Sequence, residues 1–198
     1  MRTPSVPRAV HAALVPLLVA GSLLGLGGCA TSTPPASDAT STDSAPCPRG
    51  SGRAAADLPR VSLECLTAPG TVEISDLRGK PEVINIWASW CAPCREEMPM
   101  LERAHERLGE RVQFLGVDVK DSRAHATAFL AGHGISYPQV FDAHATLPLR
   151  LRLQGVPNTL FVDASGVVVD RVIGQLTEAT LAKGVAALGG PGFAARTK

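Results

Sequence analysis

The sequence is short of net charge. Its 19 Lys and Arg stand against 18 Asp and Glu, a formal balance of +1, so it carries no basic footprint for nucleic acid. It also lacks a second C-x-x-C and any C-x-x-H, so the single close cysteine pair has no companion at the spacing of a structural zinc site. Between Ala30 and Pro46 there is almost no bulky apolar residue, and such a stretch cannot bury a core. The five cysteines are an odd number, which requires that one have a separate fate. With 198 residues, the chain has room for one ordinary domain plus extensions.

What is present centres on Trp90-Cys91-Ala92-Pro93-Cys94. The run before it, Glu82 to Ala88, is short, apolar and rich in β-branched and aromatic residues, which predicts a buried strand. The run after it has Met98, Leu101 and Leu108 at helical spacing with acids in the first turn, which predicts an amphipathic helix. Two cysteines two residues apart, where a strand hands over to a helix in a βαβ setting, read as a redox-active dithiol. The start of a helix stabilises an anion, and the thiolate is the attacking form of cysteine. Cys91 is therefore expected at the cap as the exposed nucleophile. Cys94, within the first turn, is expected to attack the mixed disulfide formed at Cys91. Pro93 suits the first turn, where a missing N–H goes unnoticed.

The stretch Leu77 to Pro99, with Trp90-Cys91-Ala92-Pro93-Cys94 at its centre, resembles the TlpA/ResA/CcmG-type extracytoplasmic thioredoxin-like proteins. The likeness runs from about Leu58 to about Leu188. It implies a thioredoxin-like α/β fold, with a central mixed sheet, helices on both faces and an N-terminal extension. It implies a thiol-disulfide oxidoreductase that reduces a protein thiol pair, for example in cytochrome c maturation, with no dissociable cofactor and no metal. A disulfide-forming oxidase using the same residues in reverse is the alternative. A metal-binding lipoprotein is a third reading, against which stands the two-residue gap between the cysteines. A peroxidase is disfavoured because its single-cysteine motif is missing. Protein thiols and disulfides, and a membrane electron donor or acceptor, are the implied partners.

The resemblance also assigns single residues. Pro157, in Gln154-Gly155-Val156-Pro157-Asn158-Thr159, takes the place of the family's cis-proline beside the dithiol. There the Val156 backbone is left free to pair with an extended substrate segment; the plain alternative is a trans-Pro opening a strand. Asn158 stands where the family often has Thr. Asn85 stands where cytoplasmic thioredoxins carry a buried Asp, and an amide cannot titrate. Glu97 falls at the position of a functional acid in the ResA-type subgroup. It either tunes and serves the thiols or is only an acid favourably placed in the first helical turn. Glu96 and Lys80 read as solvated charges. Pro99 falls inside the helix and is expected to kink it.

At the N-terminus, Arg2 and Arg8 precede an apolar run that ends in Leu26-Gly27-Gly28-Cys29. Small residues before a cleavage point mark a signal peptide. This one resembles a bacterial lipobox, with residues 1–28 removed and Cys29 lipidated; an uncleaved membrane anchor is the alternative. Removing Arg2 and Arg8 leaves 17 basic against 18 acidic residues. Lipid rather than charge would then hold the protein at the outer face of the cell membrane. Residues 29–46 read as a disordered tether, residues 47–190 as the domain, and residues 191–198 as a frayed tail.

Cys47 and Cys65 are expected to pair as a structural disulfide in an oxidising compartment, or else to relay electrons to Cys91. Val61 to Leu63 and Val72 to Ile74 are predicted strands about the Pro69-Gly70 turn. Val112 to Val119 reads as another central strand. Ser122 caps a helix to Gly132 with Ala124, Ala128, Leu130 and Ala131 inward. Val167 to Ile173 forms a hairpin with the strand after Pro157, and Thr177 caps a final helix, Glu178 to Leu188. The scattered histidines (His105, His125, His133, His144) read as surface or packing residues.

Overall fold

The structure, a computed structural model, describes residues 46–48 and 57–189. The signal peptide, Cys29, almost all of the tether and the 191–198 tail lie outside the described residues.

Seven strands form one mixed sheet. In chain order the elements are β1 (Ser62–Cys65), β2 (Thr71–Glu73), a 3-10 turn (Ile74–Asp76), β3 (Glu82–Trp87), α1 (Ala92–Leu108), β4 (Gln113–Val119), α2 (Arg123–His133), β5 (Gln139–Asp142), α3 (Thr146–Arg150), β6 (Asn158–Val162), β7 (Val168–Ile173) and α4 (Glu178–Leu188). The sheet order is β2-β1-β5-β4-β3-β6-β7. The three central strands β3, β4 and β5 run parallel, with α1 and α2 as the crossovers. The outer pairings are antiparallel.

β3 is buried along its whole length. That explains why Val83, Ile84, Ile86 and Trp87 do not alternate with exposed polar residues, because a central strand covered on both faces has no solvent side; Glu82 and Asn85 are buried with them. The edge strand β7 alternates between half-buried and exposed. One face of the sheet packs α1, α2 and α4 through Met98, Leu101, Phe129 and Leu181. The other is closed by Leu147 of α3, Ile74 of the 3-10 turn, and Leu58, Leu77 and Leu153 from connecting segments. Met98 and Leu101 are fully shielded, and burying side chains of that size is worth about 1.5–3 kcal/mol each.

Two helices depart from expectation. α1 begins at Ala92, so its first turn holds no acid, and Glu96 and Glu97 fall in the second turn. Pro99 lies inside this helix, as expected, and the helix runs on to Leu108. α2 starts as expected, with the Ser122 hydroxyl accepting from the His125 N–H, but its buried residues are Ala126, Phe129 and Leu130. Ala124, Ala128 and Ala131 face solvent. Phe129 fixes that rotation: the large ring takes the core position against Trp87, 5.5 Å away, and small alanines have less to gain there.

Among the described residues, no helix is long and apolar enough to cross a membrane.

Candidate active site

The parallel strands β3 and β4 deliver the site at their C-terminal ends. After Trp87 the chain turns, with the Cys91 N–H donating to Ala88 O at 3.1 Å, and enters α1. Cys91 is the N-cap, extended at φ −85° and ψ 106°, and its Sγ accepts the Cys94 N–H at 3.3 Å. A sulfur in that position faces the free N–H groups and positive end of the helix, which favours its thiolate. Ala92 and Pro93 fill the first two helical positions. Cys91 and Cys94 form a disulfide, with Cα atoms 5.3 Å apart.

Cys91 is less open than its sequence position suggests. It is 5% exposed and Cys94 is 0% exposed. Cys91 is the more accessible of the two, but its sulfur is turned inward against the helix start. The large exposed group is instead its neighbour Trp90, 61% exposed, whose indole N–H donates to Lys120 O at 3.0 Å.

Glu97 lies one turn beyond Cys94 and is 2% exposed, the opposite of a solvated helix-start acid. Its Oε1 accepts from Asn85 Nδ2 at 2.9 Å, and its Oε2 from the Leu176 N–H at 2.6 Å. Burial pushes its carboxyl up to about 7, and the Leu176 and Asn85 bonds only partly hold it down. Asn85 is thus the amide that carries Glu97. Its own Oδ1 is buried without a partner. Glu96 is exposed and accepts from Gln175 at 3.0 Å. The two consecutive acids of α1 therefore both hold the β7–α4 connection. Lys80 is exposed and reaches Gly109 O at 3.5 Å.

The loop before β6 completes the site. Gly155 has φ +68°, a conformation glycine adopts freely, and the Val156–Pro157 peptide bond is cis. Pro157 O accepts the Gly174 N–H at 3.0 Å. Asn158 is buried and its side chain turns back to Gly155 O at 2.9 Å, so it does not project toward a partner. Trp90, Lys120, His144, Leu149 and Val156 line a cavity of about 270 Å³ beside the dithiol. The structure therefore brings Cys91, Cys94, Glu97 and the Val156–Pro157 loop to one end of the sheet.

Known proteins match the domain that carries this site. The redoxin family model covers residues 53–188. The chain belongs to the redoxin family. It is a thioredoxin-like thiol-disulfide oxidoreductase. It is 36% identical over 122 residues to the thiol:disulfide interchange protein DsbE of Pseudomonas fluorescens biotype C, spanning 61% of this chain and 67% of that protein. It is 38% identical over 129 residues to the thiol:disulfide interchange protein HelX of Rhodobacter capsulatus, spanning 64% and 72%. Among solved structures, a DsbF homologue from Corynebacterium diphtheriae superposes with a TM-score of 0.60 at 30% identity, covering 68% of this chain and 87% of that one.

Cys47 and Cys65 are also joined by a disulfide. Cys65 belongs to the cluster on the α3 face of the sheet, against which Cys47 packs, whereas Cys91 and Cys94 belong to the cluster on the α1 face. Among the described residues, no three His, Cys, Asp or Glu side chains are grouped to hold a metal ion. Sequence reasoning passed over Asp118, which is fully buried in β4. The signal available for it was an acid inside an otherwise apolar strand.

Proposed function

We propose that this redoxin is an extracytoplasmic, lipid-anchored enzyme that reduces disulfides in other proteins, with cytochrome c maturation as its setting. Residues 1–28 are its signal peptide, Cys29 carries the lipid, and residues 29–46 tether the domain. The observation that carries the redox reading is the Cys91–Cys94 pair at the start of α1, with the buried acid Glu97 one turn behind it.

In the reducing direction, the Cys91 thiolate attacks one sulfur of a partner disulfide. A mixed disulfide forms and the partner's other sulfur leaves as a thiolate. Cys94 then gives up its proton and attacks Cys91 Sγ. The Cys91–Cys94 bond forms, the mixed disulfide breaks, and the partner departs with both sulfurs reduced. Glu97 is the group to take the Cys94 proton: burial holds its carboxyl near 7, so both protonation states are populated at neutral pH. Val156, ahead of the cis bond, offers its backbone to an extended partner segment. The placement of Cys47–Cys65 on the opposite face of the sheet favours a structural bridge over an electron relay.

The experiment is the midpoint potential of Cys91–Cys94 in defined glutathione or dithiothreitol buffers. A value near or below thioredoxin's, about −270 mV, supports the reductant; a value near that of the oxidant DsbA, about −120 mV, replaces it with a disulfide-forming oxidase.

A further inference from the structure

Two acids near the dithiol have no part in the exchange steps above. In the sheet register, Trp87, Asp118 and Phe141 stand side by side on β3, β4 and β5. Asp118 therefore points to the face that holds α1 and the dithiol. It is 0% exposed, and neither carboxyl oxygen meets an N–H or hydroxyl donor. An ionised carboxylate left bare in such a place costs several kcal/mol, so this carboxyl keeps or shares a proton.

The group beside it is Asp121, in the β4–α2 loop. Asp121 is tied to the chain just before the dithiol: its Oδ2 accepts the Ser89 N–H at 2.6 Å, and its Oδ1 the Ser122 N–H at 2.7 Å. The two carboxyls act on each other directly, and two carboxyl groups attract each other only if one supplies a proton. Burial, reinforced by the Asp121 charge, pushes Asp118 up to about 8. Burial also acts on Asp121, but the bonds from Ser89, Ser122 and Asp118 outweigh it and hold that carboxyl below its ordinary value. At neutral pH the pair thus holds one proton and one negative charge.

The β4–α2 loop grips the active-site turn twice, through Asp121 at Ser89 and through Lys120 O at the Trp90 indole. Ser89 and Cys91 share the turn closed by the Cys91 N–H on Ala88 O. Asp121 therefore holds the backbone N–H two residues before the attacking Cys91. Two cations lie near the pair: Lys120, beside Asp121, is exposed to solvent, and Arg123 acts on Asp118 against its burial. Arg123 of α2, the cation acting on Asp118, is already engaged by Glu64 of β1, by Cys65 O at 3.0 Å and by the Phe141 ring. Arg95 of α1 lies over Phe129. The β3 and β5 residues in register with Asp118 are Trp87 and Phe141, which carry no charge.

We propose that Asp118 and Asp121 are positioning residues: a proton-sharing carboxyl pair that fixes the Ser89–Cys91 turn and, through its one negative charge, opposes thiolate formation at Cys91. The proposal rests on Cys91 being the attacking thiol. A disfavoured thiolate destabilises the reduced dithiol relative to its disulfide, which makes the protein a stronger reductant.

The test uses the full chain as wild type, Asp121→Asn and Asp118→Asn, reduced and alkylated at Cys91 across pH 5 to 10, with thermal unfolding alongside. Asp121→Asn keeps an acceptor for Ser89 and removes the charge. The apparent pKa of Cys91 should fall by roughly half to one unit, the size expected for one charge several ångströms away near a protein surface. Asp118→Asn keeps a neutral donor facing Asp121. Its profile should overlay the wild type at neutral pH and lose the second inflection near 8. Should Asp121→Asn not fold, the Asp118→Asn profile decides: loss of that inflection supports the pair, and its retention overturns it. Profiles that superimpose in all three proteins, whatever happens to thermal stability, overturn the pair's role and leave the oxidoreductase standing. A wild type whose Cys91 does not react ahead of Cys94 overturns both.

Discussion

Replacing Glu97 by Gln should convert a pH-dependent protein into a flatter one. Glu97 rises from an ordinary 4.5 to about 7 on folding, chiefly through burial. A carboxyl whose folded pKa is raised binds more protons in the native state than in the unfolded one between those two values. Its contribution to stability is complete below about 4.5 and is lost as pH climbs through about 7. A shift of about 2.5 units at 1.36 kcal/mol per unit puts the loss at about 3 kcal/mol. Gln cannot ionise, so that loss should vanish. The fold has a way to accept the amide. Gln Oε1 can keep the Leu176 N–H, and Gln Nε2 can donate to Asn85 Oδ1, which has no partner in the wild type, once the Asn85 amide turns over. Urea unfolding at pH 5, 6, 7 and 8 checks this. The mutant should match the wild type near pH 5 and exceed it by about 2–3 kcal/mol at pH 8. The difference between the two proteins isolates Glu97 from Glu82 and Asp118, whose carboxyls are also raised by burial. Parallel stability curves at all four pH values would falsify the assignment of a raised carboxyl to Glu97. In the same mutant, alkylation of the thiols should shift to lower pH, because a partial negative charge beside Cys94 is gone.

Three further outcomes are expected. Gly116→Ala places a Cβ 1.8 Å from Gln139 Oε1, the acceptor of the buried Trp87 indole; overpacking plus a lost bond should cost about 2–4 kcal/mol in urea unfolding, and a loss under 1 kcal/mol would show that Gln139 moves freely. Replacing Cys47 and Cys65 together by Ser should lower stability by about 3 kcal/mol, the loop-closure value for a bridge with a sequence separation of 18, while disulfide exchange continues in the folded fraction; loss of exchange with the fold intact would point to an electron relay. Cys29→Ala should leave the precursor uncleaved and without lipid on gels of labelled cells, and normal processing would reject the lipobox.

The parts of the fold that sequence made legible are those where one local rule decides the outcome. β3 and β4 are covered on both faces, so their apolar runs could be read directly. Ser122 and Thr177 announced α2 and α4, because a cap acts within three residues of itself. The rotation of α2 was not legible, since it depends on which of its residues meets Trp87 of β3 in the core between helix and sheet. Glu97 illustrates the same limit. Its spacing from Cys94 marked it for attention, but its burial depends on Leu176, a residue 79 positions away. The cap position of Cys91 was legible from its neighbours, but its burial was not, because that follows from how the closed disulfide and the Cys94 N–H hold the sulfur. Asp118 escaped notice because a lone acid in a strand is informative only once its register partners, Trp87 and Phe141, are known.

The Cys47–Cys65 bridge also decides where a force on the N-terminal side enters the fold. While it is closed, the chain leaves the domain at Cys47, pinned to the end of β1. Any pull from the N-terminal side then enters the sheet at Cys65, whose strand is paired on both sides by β2 and β5. If the bridge opens, the next held point among the described residues is Asp57. There the side chain accepts from the Val168 N–H at 3.1 Å, and Leu58 is buried just beyond it. The ten residue steps from Cys47 to Asp57 span at most about 35 Å at full extension. For a domain tethered as proposed above, the state of this one bridge, on the face of the sheet away from the active site, sets how far the dithiol stands from the anchor.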